Sequence, residues 1–168
     1  MNEIVNRVAN SPIVTIDLDN FYIQGSRFGF DLKGFLVQGL ILKEAEFRAA
    51  LLKIDWEQFK GGYVAIFCSA DAIVPNWAFM LVGTYLGKIG VEYVIGDLES
   101  LEQYLFEKQL SGLRVEDYVG RPVVVKGCSK YQVPLYALGR VLAFVQPVAK
   151  SVMYGEPCST VPLYKAKP

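Results

Sequence analysis

Residues 63–75 read Tyr-Val-Ala-Ile-Phe-Cys-Ser-Ala-Asp-Ala-Ile-Val-Pro, and this stretch constrains the fold more than any other. Five β-favouring or small apolar residues run straight into Cys68 and Asp71, and a long hydrophobic run resumes at Pro75. A strand that passes at once into a helix opens a β-α-β unit, in which the next strand lies parallel to the first. Gly90 ends the helical run, residues 91–95 read as that next strand, and Gly96-Asp97 opens a further helix with Leu98, Leu101 and Leu105 inward.

The same succession returns downstream. Pro122 leads into Val123-Val124-Val125, a continuous apolar run of the kind found in strands covered on both faces. Cys128 and Ser129 come next, and Pro134 opens a helix whose inward face is read as Leu135, Leu138, Leu142 and Val145. Upstream, residues 13–18 alternate like a half-buried strand, and Phe28 and Phe30 mark a second strand running up to Asp31. Leu36, Leu40, Phe47, Leu51 and Ile54 return at helical spacing, which predicts a surface helix over 36–54. Residues 3–9 carry a short amphipathic helical pattern through Ile4, Val5 and Val8. In the tail, Val152, Met153 and Tyr154 read as a strand and the remainder as an irregular segment. Strands alternating with helices predict an α/β fold, a mostly parallel sheet with helices on both faces, in one domain spanning residues 1–168.

A chain of 168 residues is long enough to bury a substantial core. Its 17 basic and 17 acidic residues cancel, which removes the electrostatic case for nucleic acid or an anionic membrane surface. The longest uncharged run, residues 72–87, is too short to span a bilayer. With 52% hydrophobic and only 20% charged residues, part of the apolar excess is expected to cover a homodimer interface. The first residues lack the basic opening and apolar centre of a secretory signal, and three cysteines without an export signal point to free thiols or metal ligands in the cytoplasm. Histidine is absent, so mechanisms that need imidazole fall away. Neither Gly-x-Gly-x-x-Gly after a strand nor a phosphate-loop motif occurs.

Each cysteine is followed by serine and then by Val-Pro: Cys68-Ser69 with Val74-Pro75, Cys128-Ser129 with Val133-Pro134, and Cys158-Ser159 with Val161-Pro162. In one parallel sheet, Cys68 and Cys128 would leave their strands on the same rim, where ligands of open α/β sheets bind. A helix start favours a thiolate and holds anions. If Cys158 folds back to that rim, three thiolates converge, a set that suits zinc or an iron-sulfur cluster, with Asp71 as fourth ligand. Ser69, Ser129, Lys130 and Ser159 are the candidate ligand-binding or anion-binding groups. Lys126 and Lys130, which flank Cys128, are candidates for lowering a thiol pKa, and Trp77 and Tyr154 for stacking on a ligand; Asp17 and Asp19, at the end of the first strand, either add carboxylates to the same edge or begin a turn. The bland alternative is also physical. Cysteine packs as a small hydrophobe, and serine, aspartate and Val-Pro are ordinary residues for turns and helix starts.

The segments Ile-Val-Asn-Arg-Val-Ala-Asn-Ser (4–11), Cys-Ser-Ala-Asp-Ala-Ile-Val-Pro (68–75), Gly-Cys-Ser-Lys (127–130) and Val-Met-Tyr-Gly-Glu-Pro-Cys-Ser-Thr-Val-Pro-Leu-Tyr-Lys (152–165) resemble a bacterial family, domain of unknown function 2480, over essentially the whole chain. That family has no assigned activity or catalytic residues. Its members are often encoded beside iron-sulfur cluster assembly genes, so the resemblance implies iron-sulfur assembly proteins as partners. Three readings stand at this point. One is a cytoplasmic metal-binding or iron-sulfur-binding protein using Cys68, Cys128 and Cys158. Another is a non-enzymatic dimeric interaction module whose helix at Pro75 packs on a partner. The last is a thiol or anion-binding enzyme without metal. Whether the chain is an enzyme stays open.

Overall fold

The computed structural model describes residues 12–127, 130–156 and 158–167. Strands β1 (Val14–Asp17), β2 (Ser26–Asp31), β3 (Gly62–Phe67), β4 (Glu92–Ile95), β5 (Pro122–Lys126), β6 (Ser151–Glu156) and β7 (Ser159–Lys165) are interspersed with helices α1 (Glu44–Leu51), α2 (Asn76–Lys88), α3 (Leu98–Leu110) and α4 (Leu135–Val145). The class is α/β. The helical pattern read at residues 3–9 lies outside the described residues. Among the described residues, no helix is long and apolar enough to cross a membrane.

The strands form two sheets where the rhythm of the sequence suggested one. The first has the order β1-β5-β6-β7, parallel except for the last pair, and the second has the order β2-β3-β4, parallel throughout. Local periodicity names strands but not their neighbours. Here β5 pairs with β1 across a hundred intervening residues, which no local pattern records. The chain divides accordingly into two compact units, Gln24–Tyr104 and a second made of Met1–Ile23 with Leu105–Pro168.

The two units repeat one motif. In the first sheet, Val14, Thr15, Ile16 and Asp17 stand opposite Val123, Val124, Val125 and Lys126. In the second, Phe28, Gly29, Phe30 and Asp31 stand opposite Val64, Ala65, Ile66 and Phe67 in the same register. The third strands agree as well: Val123 and Val125 face Val152 and Tyr154, as Val64 and Ile66 face Tyr93 and Ile95. Each first strand ends in an aspartate that caps a 3-10 turn, Asp17 through the amide of Asp19 and Asp31 through that of Lys33. The middle strands each come after a left-handed glycine, Gly61 (φ 77°) or Gly120 (φ 66°), where a side chain would strain the backbone.

Packing obeys the same template. The inward face of α2 is Ala78, Val82 and Leu86, that of α4 is Ala137, Val141 and Val145, and all six are fully buried. Leu18 and Leu32, one residue past the capping aspartates, are fully buried in their respective cores. Val64 and Ala65 of β3, and Val123 and Val124 of β5, are sealed on both sheet faces, as a continuous apolar run requires.

Three local expectations are corrected. The helix over 36–54 shrinks to α1, because Gln38 and Gly39 take positive φ and close a Val37–Ile41 bridge, leaving Leu40 exposed. Leu135 likewise faces solvent, and the core stripe of α4 is shifted to Ala137, Val141 and Val145. The tail beyond β6 is a regular strand, β7, paired antiparallel with β6. Pro75 and Pro134 stop short of their helices as N-caps with extended ψ, and their carbonyls accept the amides of Ala78 and Ala137 at 2.9 Å.

Equivalent places in a repeated core should have equivalent energetics. Leu18→Ala and Leu32→Ala are each expected to destabilise the protein by about 2 to 5 kcal/mol, through lost burial and the cavity left behind. Urea unfolding checks both, and a loss confined to one of the two would break the equivalence.

Candidate functional site

In a parallel sheet all strands end on one rim, and the loops leaving that rim carry whatever chemistry the fold offers. In the unit Gln24–Tyr104 the rim is built on Asp31. Its carboxylate accepts the Lys33 amide at 2.9 Å, the Ser69 amide at 3.0 Å and the Ser69 hydroxyl at 2.5 Å. The loop that leaves β3 through Cys68 is thereby tied to the end of β2. Partial burial pushes the Asp31 carboxyl up, but the Ser69 hydroxyl, the two amides and the Lys33 charge together outweigh it and hold the group below the usual carboxylate range. Cys68 is half-buried against the core of this unit, with its Sγ 3.8 Å from the Ala70 carbonyl oxygen. Beyond it Asp71 is exposed, and Ile73 is 92% exposed. After β4, Asp97 caps α3, accepting the amide and hydroxyl of Ser100 at 2.8 and 2.7 Å; these bonds lower its pKa.

The other unit builds its rim from the same places with different chemistry. Asp17 accepts the Asp19 amide at 3.1 Å and pairs with Lys126 Nζ at 3.2 Å, and Lys126 reaches Glu156 at the end of β6 at 3.5 Å. Three strand ends are thus joined through one ammonium. The hydrogen bond to Asp17 is the main cause that raises the Lys126 pKa, with the two carboxylate charges next in weight. Asp19 accepts the amides of Lys130 and Tyr131 at 3.1 and 3.3 Å, which ties the loop after β5 to the turn after β1. Tyr131 stacks on Tyr22 at 4.0 Å between centroids, with Lys130 Nζ 5.1 Å from the Tyr131 ring. Cys158 is exposed in the turn between β6 and β7, and Ser159 begins β7.

The structure brings Cys68, Ser69 and Asp71 together in one unit, and Lys130, Cys158 and Ser159 in the other. Cys128 and Ser129 lie outside the described residues. The premise that Cys68 and Cys128 leave one sheet does not hold, because β3 and β5 belong to different sheets. Within the four-stranded sheet, two strands that cysteines follow in sequence are neighbours. β5, which Cys128 follows in sequence, is the parallel neighbour of β6, which Cys158 follows, with Val125 opposite Tyr154. Among the described residues, no three side chains of Cys, Asp, Glu or His are grouped as a metal site.

Other expectations resolve structurally. Lys126 is engaged by two carboxylates, Asp17 and Glu156. Trp77 packs on Phe47 at 6.2 Å between centroids, with the Arg48 guanidinium 5.9 Å from its ring. Tyr154 packs against the core of its own unit. Asp17 and Asp19, read from the sequence as carboxylates for this edge or as turn residues, anchor the turn after β1 and the loop after β5, whereas the matching anchor Asp31 is read from the sequence only as the end of its strand. Their signal is nonetheless present as the repeated Asp-Leu-x-x-Phe at 17–21 and 31–35, which marks the same turn in each half.

A family model described as "Protein of unknown function (DUF2480)" matches residues 2–166. No curated protein and no solved structure matches the chain.

The Asp31 anchor gives a pH prediction. A carboxylate held low in the folded state adds stability above its unfolded pKa, and that contribution is lost as pH falls through the folded pKa. In Ser69→Ala the Asp31 titration should move up toward the ordinary range, as read by carboxyl-carbon NMR. The destabilisation relative to the parent should be largest at neutral pH and vanish in acid. An Asp31 titration unchanged by the substitution would remove Ser69 as its anchor.

Proposed function

The chain belongs to this DUF2480 family of unknown function, and from its residues we propose that it is a thiol protein that binds a soft metal ion or an iron-sulfur cluster through its cysteine loops. The observation that carries this reading is what the two halves share. Most identities between them have a packing or backbone cause: the capping aspartates, the buried leucines after them, the left-handed glycines, the proline caps, and Ala78 and Val82 against Ala137 and Val141. Cys-Ser after each middle strand is a further identity, in which Ser69 has a structural cause in its bonds to Asp31 while the thiol of Cys68 is only partly accounted for by packing. Cys68 is only half-buried, and the serine beside it is exposed.

The rim of the four-stranded sheet is the preferred place. Cys158 lies in the turn after β6, and Cys128 follows the neighbouring strand β5 in sequence, with Asp17 and Glu156 at the adjoining strand ends. Thiolates with nearby carboxylates are the donor types that zinc and iron-sulfur clusters take. Cys68 and Asp71 belong to the other unit and serve a second, weaker position. The reading implies a reducing compartment such as the cytoplasm, and iron-sulfur assembly proteins as partners.

Anaerobic purification of the full chain, with metal and acid-labile sulfide analysis, tests it. The parent should carry metal, Cys128→Ser and Cys158→Ser should each lose most of it, and Cys68→Ser should retain it. A colourless, metal-free parent from anaerobic cells, unable to take up zinc or iron in titration, overturns the reading. A single thiol that alkylates rapidly in such a metal-free protein would favour a thiol enzyme instead.

A further inference from the structure

Ligands carried on separate loops meet only if the chain ends that bear them are held, and in the four-stranded sheet the holding contacts converge on residues 17–19. Where the chain leaves β5, Lys126 pairs with Asp17 at 3.2 Å, a Cβ on Gly127 would stand 2.7 Å from Leu18 Cβ, and the amides of Lys130 and Tyr131 bond to Asp19 at 3.1 and 3.3 Å. The chain is therefore held on both sides of Cys128 and Ser129. The turn that carries Cys158 is held from another direction. Glu156, the last residue of β6, reaches the same Lys126 ammonium at 3.5 Å. Gly155 (φ 119°) bends the strand end just before it, and a Cβ there would stand 2.8 Å from the Ser159 carbonyl oxygen.

We infer that Lys126 is a positioning residue of the thiol site: by holding Glu156 it seats the Cys158 turn against the end of β5, the strand that Cys128 follows in sequence. The inference rests on the metal-binding reading above and adds to it the group that sets the geometry. The other half is an internal comparison. There β3 ends in Phe67 where β5 has Lys126, and the carboxylate after the corresponding glycine, Asp97, is taken up by the amide and hydroxyl of Ser100 at the start of α3. The same frame is thus built without an ammonium at this place. Exposure points the same way. The Lys126 and Asp17 side chains are 29% and 27% exposed and that of Glu156 60%, and ion pairs this open to water add little to overall stability. What the Glu156 arm fixes is the place of the turn. Without the ammonium, Asp17 and Glu156 are left as like charges on the two strands that flank β5, and the turn is released from the rim. Groups that orient metal ligands without touching the ion change affinity about 10-fold to 100-fold when removed.

Zinc titration and amide hydrogen exchange on the full, reduced chain test it together. Lys126→Met keeps the aliphatic stem and removes the charge. It should speed exchange at the turn end of the β6–β7 pair about tenfold, lower zinc affinity roughly tenfold, and leave the melting temperature near the parent's. Lys126→Arg should restore both exchange and affinity. Glu156→Gln tests the same link from the exposed side: it should lower affinity as much, and the two substitutions together should lower it no more than either alone. Unchanged exchange in Lys126→Met overturns the inference, because the ammonium then does not hold the turn. Faster exchange with unchanged zinc affinity overturns it too, since the tether then has no bearing on the site. A parent that takes up no zinc removes the metal-binding reading and the inference with it, whereas zinc bound equally well by the parent and both variants removes the inference alone.

Discussion

Each half of this protein depends on a middle strand that must be sealed on two faces at once. β3 and β5 are the strands through which every other element of their units is positioned. Neighbours on either side pair with them in parallel, and the helix after each one supplies a stripe spaced by four residues, Ala78-Val82-Leu86 or Ala137-Val141-Val145. Parallel pairing demands this arrangement, because a strand cannot return beside its neighbour without a crossover, and the crossover helix must bury an apolar face on the sheet. Small residues at the first position of the stripe let the helix start lie close to the sheet. The loop between strand and helix is thereby fixed in length and held at the rim.

The rim itself is organised by carboxylates. An aspartate at the end of a first strand has little to bond within the ladder, and it closes a 3-10 turn on itself. In one half that same carboxylate, Asp31, reaches on to Ser69. In the other the task is divided: Asp17 takes the Lys126 ammonium, and Asp19, two residues along, takes the loop amides. Both solutions satisfy backbone donors that a loop leaving a sheet would otherwise expose, and both occupy the loop with a negative charge supplied by the protein. That weakens the case for free anions at Ser69, whose amide and hydroxyl already have a carboxylate.

Legibility in the sequence tracked the range of the interaction responsible. Strands β3, β4 and β5, the proline caps and the capped start of α3 are local matters of propensity and turn chemistry, and the residues declared them. The division into two sheets rests on β1 meeting β5 and β2 meeting β3, and nothing in a window of ten residues encodes it. The stripe Leu135, Leu138 and Leu142 is a true helical stripe that flanks the core, with Leu138 and Leu142 packed at its edge and Leu135 in solvent. Its rival Ala137, Val141 and Val145 is made of smaller residues, which periodicity weighs less and close packing on a sheet prefers. The three Val-Pro steps look like one signal, yet two precede helices and the third, Val161-Pro162, lies inside β7, where the edge of a sheet tolerates proline. Repetition is conspicuous in the cysteines because thiols are rare and reactive. In Asp-Leu-x-x-Phe it is carried by residues common in any turn or core, and it stands out only once both turns are seen in place.

The repeat also separates what the frame requires from what one half has added to it. Where β3 ends in Phe67, β5 ends in Lys126, an apolar residue in one half and the centre of a three-way ion pair in the other. Where β4 passes through Gly96-Asp97 into a helix, β6 passes through Gly155-Glu156 into a hairpin that carries Cys158. The two frames agree in register, while the polar side chains at their rims diverge. Packing that fixes the interior of a repeated unit and leaves its loops at the surface confines the differences to strand ends in this way. The half with the lysine bridge and the hairpin cysteine differs from the other at its strand ends, where the other half has a single serine-anchored thiol loop. On the metal-binding reading proposed above, the two halves would therefore be unequal although they share one architecture, with the thiol site at the rim of the four-stranded sheet.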